Sequence, residues 1–177
     1  MATDALGTKT ADVYRGFIEA VNRHDLDAAA RLLDPQRYRE NCVGFTHGLV
    51  DWEEAKASIR QVWKGLPDLR VELHNVLATG DVAVARGTVR GTATGRLYGA
   101  PATKRSFEAS SFDYVRLEDG LIVERGSRRT CLVRCGSSME ERWVWLDLVQ
   151  CFGDSRVSQP SSRRPRDSRG PRAAREP

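Results

Sequence analysis

The hydrophobic residues of this chain change period once, near Leu69, and that change restricts the possible folds more than any single motif does. Before it, apolar residues recur at helical spacing; after it, they alternate. Residues 11–23 place Val13, Phe17, Ile18 and Val21 on one side, with Arg15, Glu19 and Asn22 between them. Thr10 or Asp12 is positioned to cap this helix. Asn22-Arg23-His24-Asp25 interrupts the pattern, and Asp25 can cap a second short helix reaching Leu33. Its apolar side is Leu26, Ala29, Leu32 and Leu33, and Asp34-Pro35 stops it. An extended piece at 38–45 leads through Gly48 to Asp51, the expected cap of a third helix ending at Lys64. Trp52, Ala55, Ile59, Val62 and Trp63 form its buried side, and Gly65 and Pro67 terminate it.

Beyond this point Leu69, Val71 and Leu73 alternate with Arg70, Glu72 and His74, the pattern of a half-buried strand. Gly80-Asp81 is a turn, and 82–94 is a strand rich in small residues. Residues 95–104 form a loop given freedom by Gly95 and Gly99 and fixed by Pro101. A long strand at 106–117, a tight turn at Glu118-Asp119-Gly120 and an antiparallel partner starting at 121–124 complete the series. Three helices followed by a strand meander predict an α+β domain, with helices on one face of a curved, mostly antiparallel sheet.

Charge and cysteine content exclude several classes. The formal charge is +4, yet residues 1–125 carry 17 basic and 18 acidic side chains, and residues 126–177 carry 11 and 6. A folded nucleic-acid reader needs a basic face within its domain, so no nucleic-acid partner is expected. Only Cys42 lies in the body of the chain, which leaves no disulfide framework and points to a reducing cytoplasm. No stretch approaches the roughly 20 apolar residues that span a bilayer, and the N-terminus lacks the apolar run of a signal peptide. A soluble cytoplasmic protein without membrane contact is expected.

The run Gly95-Arg-Leu-Tyr-Gly-Ala-Pro-Ala-Thr-Lys-Arg-Ser-Phe107 resembles a loop of the SnoaL-like polyketide cyclases, Gly-x-x-x-Gly-x-Pro-Ala/Pro-Thr-x-Arg/Lys-x-Phe/Val. Asn22-Arg-His-Asp-Leu-Asp27, Leu66-Pro-Asp-Leu-Arg-Val71, Val89-Arg-Gly-Thr92 and Leu117-Glu-Asp-Gly-Leu-Ile-Val-Glu124 also follow in family order, over residues 11–125. The resemblance implies the nuclear-transport-factor-2-like (cystatin-like) fold, a cone closed by helices with a ligand pocket in its wide mouth. It implies cofactor-free ester cyclisation of an aromatic polyketide by intramolecular aldol closure, as in antibiotic biosynthesis. Two alternatives are a non-catalytic module that binds a small apolar molecule and a relative that assists polyketide hydroxylation. A homodimer paired through the outer face of the sheet is implied as well.

The resemblance stops abruptly. Residues 1–10 read as a flexible lead, the domain as 11–125 with a possible extension to about 135, and 136–177 as an atypical Arg/Ser/Pro-rich, disordered tail. From Gly126 onward neither helical nor strand period is visible. Back-translation of residues 126–139 with GC-rich codons, read from the third base, yields Glu-Gln-Ala-Asp-Val-Leu-Gly-Gln-Val-Arg-Gln-Leu-Asp. That resembles the family's ending, so the chain is expected to leave its ancestral frame near Arg125.

Asp113 is the leading candidate for chemistry. It shares strand parity with Phe107, Ala109, Val115 and Leu117, and a carboxylate on such a face suits a general acid or base. The competing expectation is a bulge that slips the parity, leaving Asp113 against water or an arginine. By resemblance, the family's acid/base carboxylate falls at Ser127, where a hydroxyl does not ionise usefully near neutral pH. Tyr38, Asn41, Trp63 and Tyr98 match ligand-lining regions of relatives, and Phe107 and Ser111 complete the substrate-binding set. Simple helix packing is the plainer reading of Trp63, and a surface ion pair that of Arg86. His24, His47, His74, Cys131 and Cys135 lack partners at ligand spacing, so neither a metal nor a cofactor is expected. Gly95 and Gly99 do not make a phosphate loop, since no Gly-Lys-Ser/Thr ending follows them.

Overall fold

A computed structural model describes residues 4–42, 49–97 and 101–131. Its elements are α1 (Ala5–Asn22), α2 (Leu26–Ala30), β1 (Arg39–Cys42), α3 (Trp52–Gly65), β2 (Arg70–Thr79), β3 (Val82–Thr92), β4 (Ser106–Glu118) and β5 (Leu121–Cys131). The strands form one sheet in the order β1-β5-β4-β3-β2, antiparallel except for the β1–β5 pair. The α+β expectation, with helices packed on a curved and mostly antiparallel sheet, is what the chain adopts.

The first helix starts earlier than its apolar period suggests. Asp4, not Thr10 or Asp12, is the cap: its Oδ1 accepts from the Gly7 amide at 2.8 Å and its Oδ2 from the Gly80 amide at 3.0 Å. Those two amides hold the Asp4 carboxyl below its usual value. Thr10 lies inside the helix and donates its hydroxyl to the Gly80 carbonyl at 2.7 Å. Residues 5–10, read from the sequence as part of a flexible lead, are therefore helical and tied to the β2–β3 turn. The far end of α1 is anchored by Asn22, whose side-chain amide donates to the Val71 carbonyl and accepts from the Val71 amide, both at 2.8 Å.

Asp25 and Asp51 cap α2 and α3 as expected, accepting from the amides of Ala28 and Glu54. Helix α2 ends at Ala30 instead of Leu33 because the next residues join the sheet. Leu33 bridges to Ile122, with the Ile122 amide donating to the Leu32 carbonyl and the Asp34 amide to the Ile122 carbonyl, both at 3.0 Å. The β4–β5 turn places Asp119 and Gly120 at positive φ, 52° and 80°, which matches the right-handed twist of the flanking strands.

The core lies between α1 and the inner face of the sheet. Tyr14, Phe17 and Ile18 of α1 pack with Leu26 and Ala29 of α2, with Val71, Ala83, Ala85 and Val89 of β2 and β3, and with Val115, Leu117 and Ile122 of β4 and β5. Strand β5 does not stop where its apolar pattern does. It pairs with β4 through Cys131, seven residues beyond Glu124, because backbone hydrogen bonding to the long strand β4 does not depend on side-chain period.

Candidate active site

Parity along β4 holds without a slip at Asp113. Ala109, Ser111, Asp113, Val115 and Leu117 are all buried, and the irregularity in the β4–β5 ladder falls later, between Arg116 and Leu117. Both halves of the competing expectations are thus partly realised: Asp113 faces the interior, and an arginine meets it there. Arg125 of β5 donates from Nη2 to Asp113 Oδ1 at 3.1 Å and from Nη1 to Glu40 Oε1 at 2.5 Å. The other oxygen of Glu40 accepts from the Tyr38 hydroxyl at 2.7 Å. Relative exposures are 5% for Asp113, 7% for Arg125 and 3% for Glu40, so this chain of polar contacts runs through the interior.

Each member is placed by the sheet. Glu40 stands opposite Arg125 in the parallel β1–β5 register, and Asp113 opposite Ser127 in the antiparallel β4–β5 register. Arg125 lies two positions from Ser127 on β5, so it reaches Asp113 diagonally. The Phe17 ring of α1 covers the guanidinium at 5.7 Å, a cation–π contact that shields it from water. The three ionisable groups carry two carboxylates and one guanidinium, so their formal charge is −1. Burial of that set requires that every partner be well placed.

Three neighbouring polar atoms have no hydrogen-bond partner among the described residues: Asp113 Oδ2, Ser111 Oγ and Ser127 Oγ. Ser111 precedes Asp113 by two residues on the same face of β4, and Ser127 faces Asp113 across the ladder. On the β3 side their register partners are Gly87 and Ala85, which project no more than a methyl group beside them. Buried polar atoms are nearly always satisfied in folded proteins, so these three unpartnered atoms single out this part of the interior as the candidate site.

The other candidates disperse. Tyr38 is fully buried; its ring meets Trp52 edge-on at 5.7 Å, and its hydroxyl serves Glu40. Asn41 is exposed, because its parity on β1 is opposite to that of Glu40. Trp63 is half-buried against the core, and its ring stacks on His24 at 4.3 Å, in keeping with helix packing. Phe107 is half-buried at the junction with the small cluster of Leu66, Ala93 and Leu97. Tyr98, like His47 and Cys135, lies outside the described residues. Arg86 is exposed and donates to the Asn75 side-chain carbonyl at 3.1 Å, so its partner is an amide instead of the expected acid. His74 is exposed and contacts the Thr88 hydroxyl at 2.8 Å. Among the described residues no three His, Cys, Asp or Glu side chains converge to hold a metal ion.

Glu40 and Arg125 were not legible as site residues. A charged residue within a strand reads as solvent-facing until its partner is known. The one available signal was parity, which groups Glu40 with Tyr38 and Arg125 with Val123 and Ser127.

Comparison with known proteins follows the same outline. The family model for SnoaL-like polyketide cyclases matches residues 11–127. Among solved structures, IdmH of Streptomyces antibioticus, a candidate polyketide cyclase, superposes with a TM-score of 0.61 at 26% identity, covering 68% of this chain and 91% of IdmH. A candidate SnoaL-like polyketide cyclase of Jannaschia gives 0.66 at 19% identity, over 73% and 90% of the two chains. AclR of Streptomyces galilaeus, a candidate hydroxylase, gives 0.62 at 21%, over 70% and 76%. No curated protein sequence matches the chain. With its helices, sheet order and interior polar cluster in place, and with the family model matching most of its length, the chain belongs to the SnoaL-like polyketide cyclase family.

Proposed function

We propose that this protein is a cofactor-free acid–base enzyme that closes a ring on an aromatic polyketide ester by intramolecular aldol addition, with Asp113 as the base. The observation that carries this reading is the Asp113 carboxylate, buried and facing inward, with one oxygen held by Arg125 and the other unpartnered among the described residues. In the proposed step Oδ2 takes a carbon-bound proton from the carbon flanked by carbonyls, leaving an enolate delocalised over the conjugated system. The enolate carbon attacks an internal carbonyl, forming the carbon–carbon bond and an alkoxide. The carboxylic acid returns its proton to that alkoxide, so the protein is regenerated. In this reading the hydroxyls of Ser111 and Ser127 steady the developing oxyanions. Positioning of a flexible substrate supplies much of the remaining rate.

Asp113→Asn keeps the shape and removes the base. The expected result is a fall in kcat of at least about a hundredfold on a keto-ester panel, with ligand affinity within a factor of about three. Turnover at the parent rate would exclude Asp113 from this role.

A second reading, a non-catalytic module for a small apolar metabolite, is favoured by one observation. The residue at the family's acid/base position is Ser127, which lies buried and cannot ionise usefully. Tight binding of polyketide analogues without turnover of any keto ester would establish it. Substrate-dependent oxygen uptake would instead mark a hydroxylation-assisting relative. The family match ends at residue 127, which supports the proposal that the gene leaves its ancestral frame near Arg125. Resequencing across codons 120–140 tests this: one added base restoring Trp-Glu-Gln-Ala-Asp bears it out, and an unchanged reading ends it.

The same reading places the protein in the cytoplasm and in secondary metabolism, as a homodimer. Support for pairing comes from the outer face of the sheet, where exposed Leu77 and Val84 stand opposite each other on β2 and β3 and exposed Phe112 lies diagonal to Val84 on β4. Sedimentation should show a dimer that Phe112→Asp converts to monomer. A monomeric parent protein would remove this part of the proposal.

A further inference from the structure

We propose that Arg125 and Glu40 are positioning residues for Asp113, a two-step brace that fixes one carboxylate oxygen and leaves the other directed at the substrate. The inference rests on the reading of Asp113 as the base. It adds what sets that base's orientation and charge.

The brace begins at Tyr38, whose hydroxyl donates to Glu40 Oε2. Glu40 Oε1 then takes one arm of Arg125, and the second arm reaches Asp113 Oδ1. A guanidinium is rigid and planar, so anchoring Nη1 determines where Nη2 points. Among the described residues the carboxylate of Asp113 is held through Oδ1, and its Oδ2 has no hydrogen-bond partner. Glu40 also divides the positive charge of Arg125 between two carboxylates. Glu40 therefore acts on the reacting carboxylate without touching the substrate.

The groups facing Asp113 are few among the described residues. Arg125 and Ser127 come from β5, Ser111 from β4 and Ala85 from β3; Glu40 and Tyr38 act through Arg125, and Phe17 of α1 lies against the guanidinium. Arg125 and Glu40 are the charged members of that set, so their removal has opposite and predictable consequences.

The test is a carbon-13 NMR titration of the Asp113 side-chain carboxyl in the full chain, which needs no substrate. Arg125→Met should raise the titration midpoint, because the compensating cation is gone. Glu40→Gln should lower it, because Arg125 then serves Asp113 alone and a nearby negative charge is removed. Arg125→Lys, which keeps the charge, should lie closer to the parent protein than Arg125→Met does. Opposite movements in Arg125→Met and Glu40→Gln support the brace; movement in the same direction, or none, overturns it. If Arg125→Met does not fold, Glu40→Gln decides: a lowered midpoint supports the proposal, and an unchanged or raised one ends it. Since the carboxyl itself is read, failure to find a substrate would count against the proposed reaction and not against the brace.

Discussion

Replacing Arg125 with methionine is expected to destabilise the domain by about 3–5 kcal/mol at neutral pH, a fall of roughly 10–20 °C in Tm. Methionine fills much of the same volume, so the loss does not come from a cavity. It comes from Glu40 and Asp113, which remain buried beside each other without their shared cation. The deficit should shrink as the pH falls, since protonation neutralises the stranded carboxylates. A triple variant, Arg125→Met with Glu40→Gln and Asp113→Asn, should recover most of the loss, because neutral side chains carry no uncompensated charge into the interior. Urea unfolding of parent, single and triple variants at neutral and acid pH makes the comparison. Equal destabilisation of the single and triple variants would show that packing, and not charge, explains the effect.

The second large effect is expected at Gly95. A Cβ added there would lie 2.0 Å from the Lys64 carbonyl oxygen and 3.3 Å from Gly65 Cα, while the Gly95 amide donates to the Gly65 carbonyl at 3.0 Å. Both obstacles are backbone, so neither can rotate away. Gly95→Ala must push the loop off the end of α3, breaking that hydrogen bond and loosening the cluster of Leu66, Ala93 and Leu97. A cost of about 3 kcal/mol is expected. Gly80→Ala offers a contrast, because its Cβ meets nothing within 4 Å and its only difficulty is a φ of +55°. About 1 kcal/mol is expected there. Denaturant midpoints of the two variants compare them directly, and a larger loss at Gly80 would refute this account.

Gly95 also shows how sequence reading can find a residue for the wrong reason. It read as a source of loop freedom, whereas the structure uses it for close approach to α3. The caps behave similarly. Asp25 and Asp51 were legible because their hydrogen bonds are local, to amides three residues ahead. Asp4 was not, because half of its role is a contact with the Gly80 amide in a distant turn. The end of α2 was misplaced for the same reason: Leu33 is claimed by Ile122, and no local period records that competition.

Within the candidate site, Asp113 and its inward direction followed from the two-residue period of β4, a property of the backbone itself. Ser111 shares that period with Asp113, and the β4–β5 register sets Ser127 opposite Asp113, both of them buried. Asn41 could not be read in this way, since its neighbours on β1 gave no apolar pattern from which to read a face.

The sequence by itself determined the order and kind of the elements, because helical and strand periods are written in consecutive residues and burial of an apolar stripe enforces them. It offered, too, a carboxylate for the inner face of the sheet, with a slipped parity as the alternative. Only the tertiary structure decided what that carboxylate meets. The parallel pairing of β1 with β5 brings Glu40 to Arg125 across 85 positions of chain, and the β4–β5 register brings Arg125 to Asp113. Such a network has no local signature: the cost of burying each charge is offset only by partners that the folded sheet supplies.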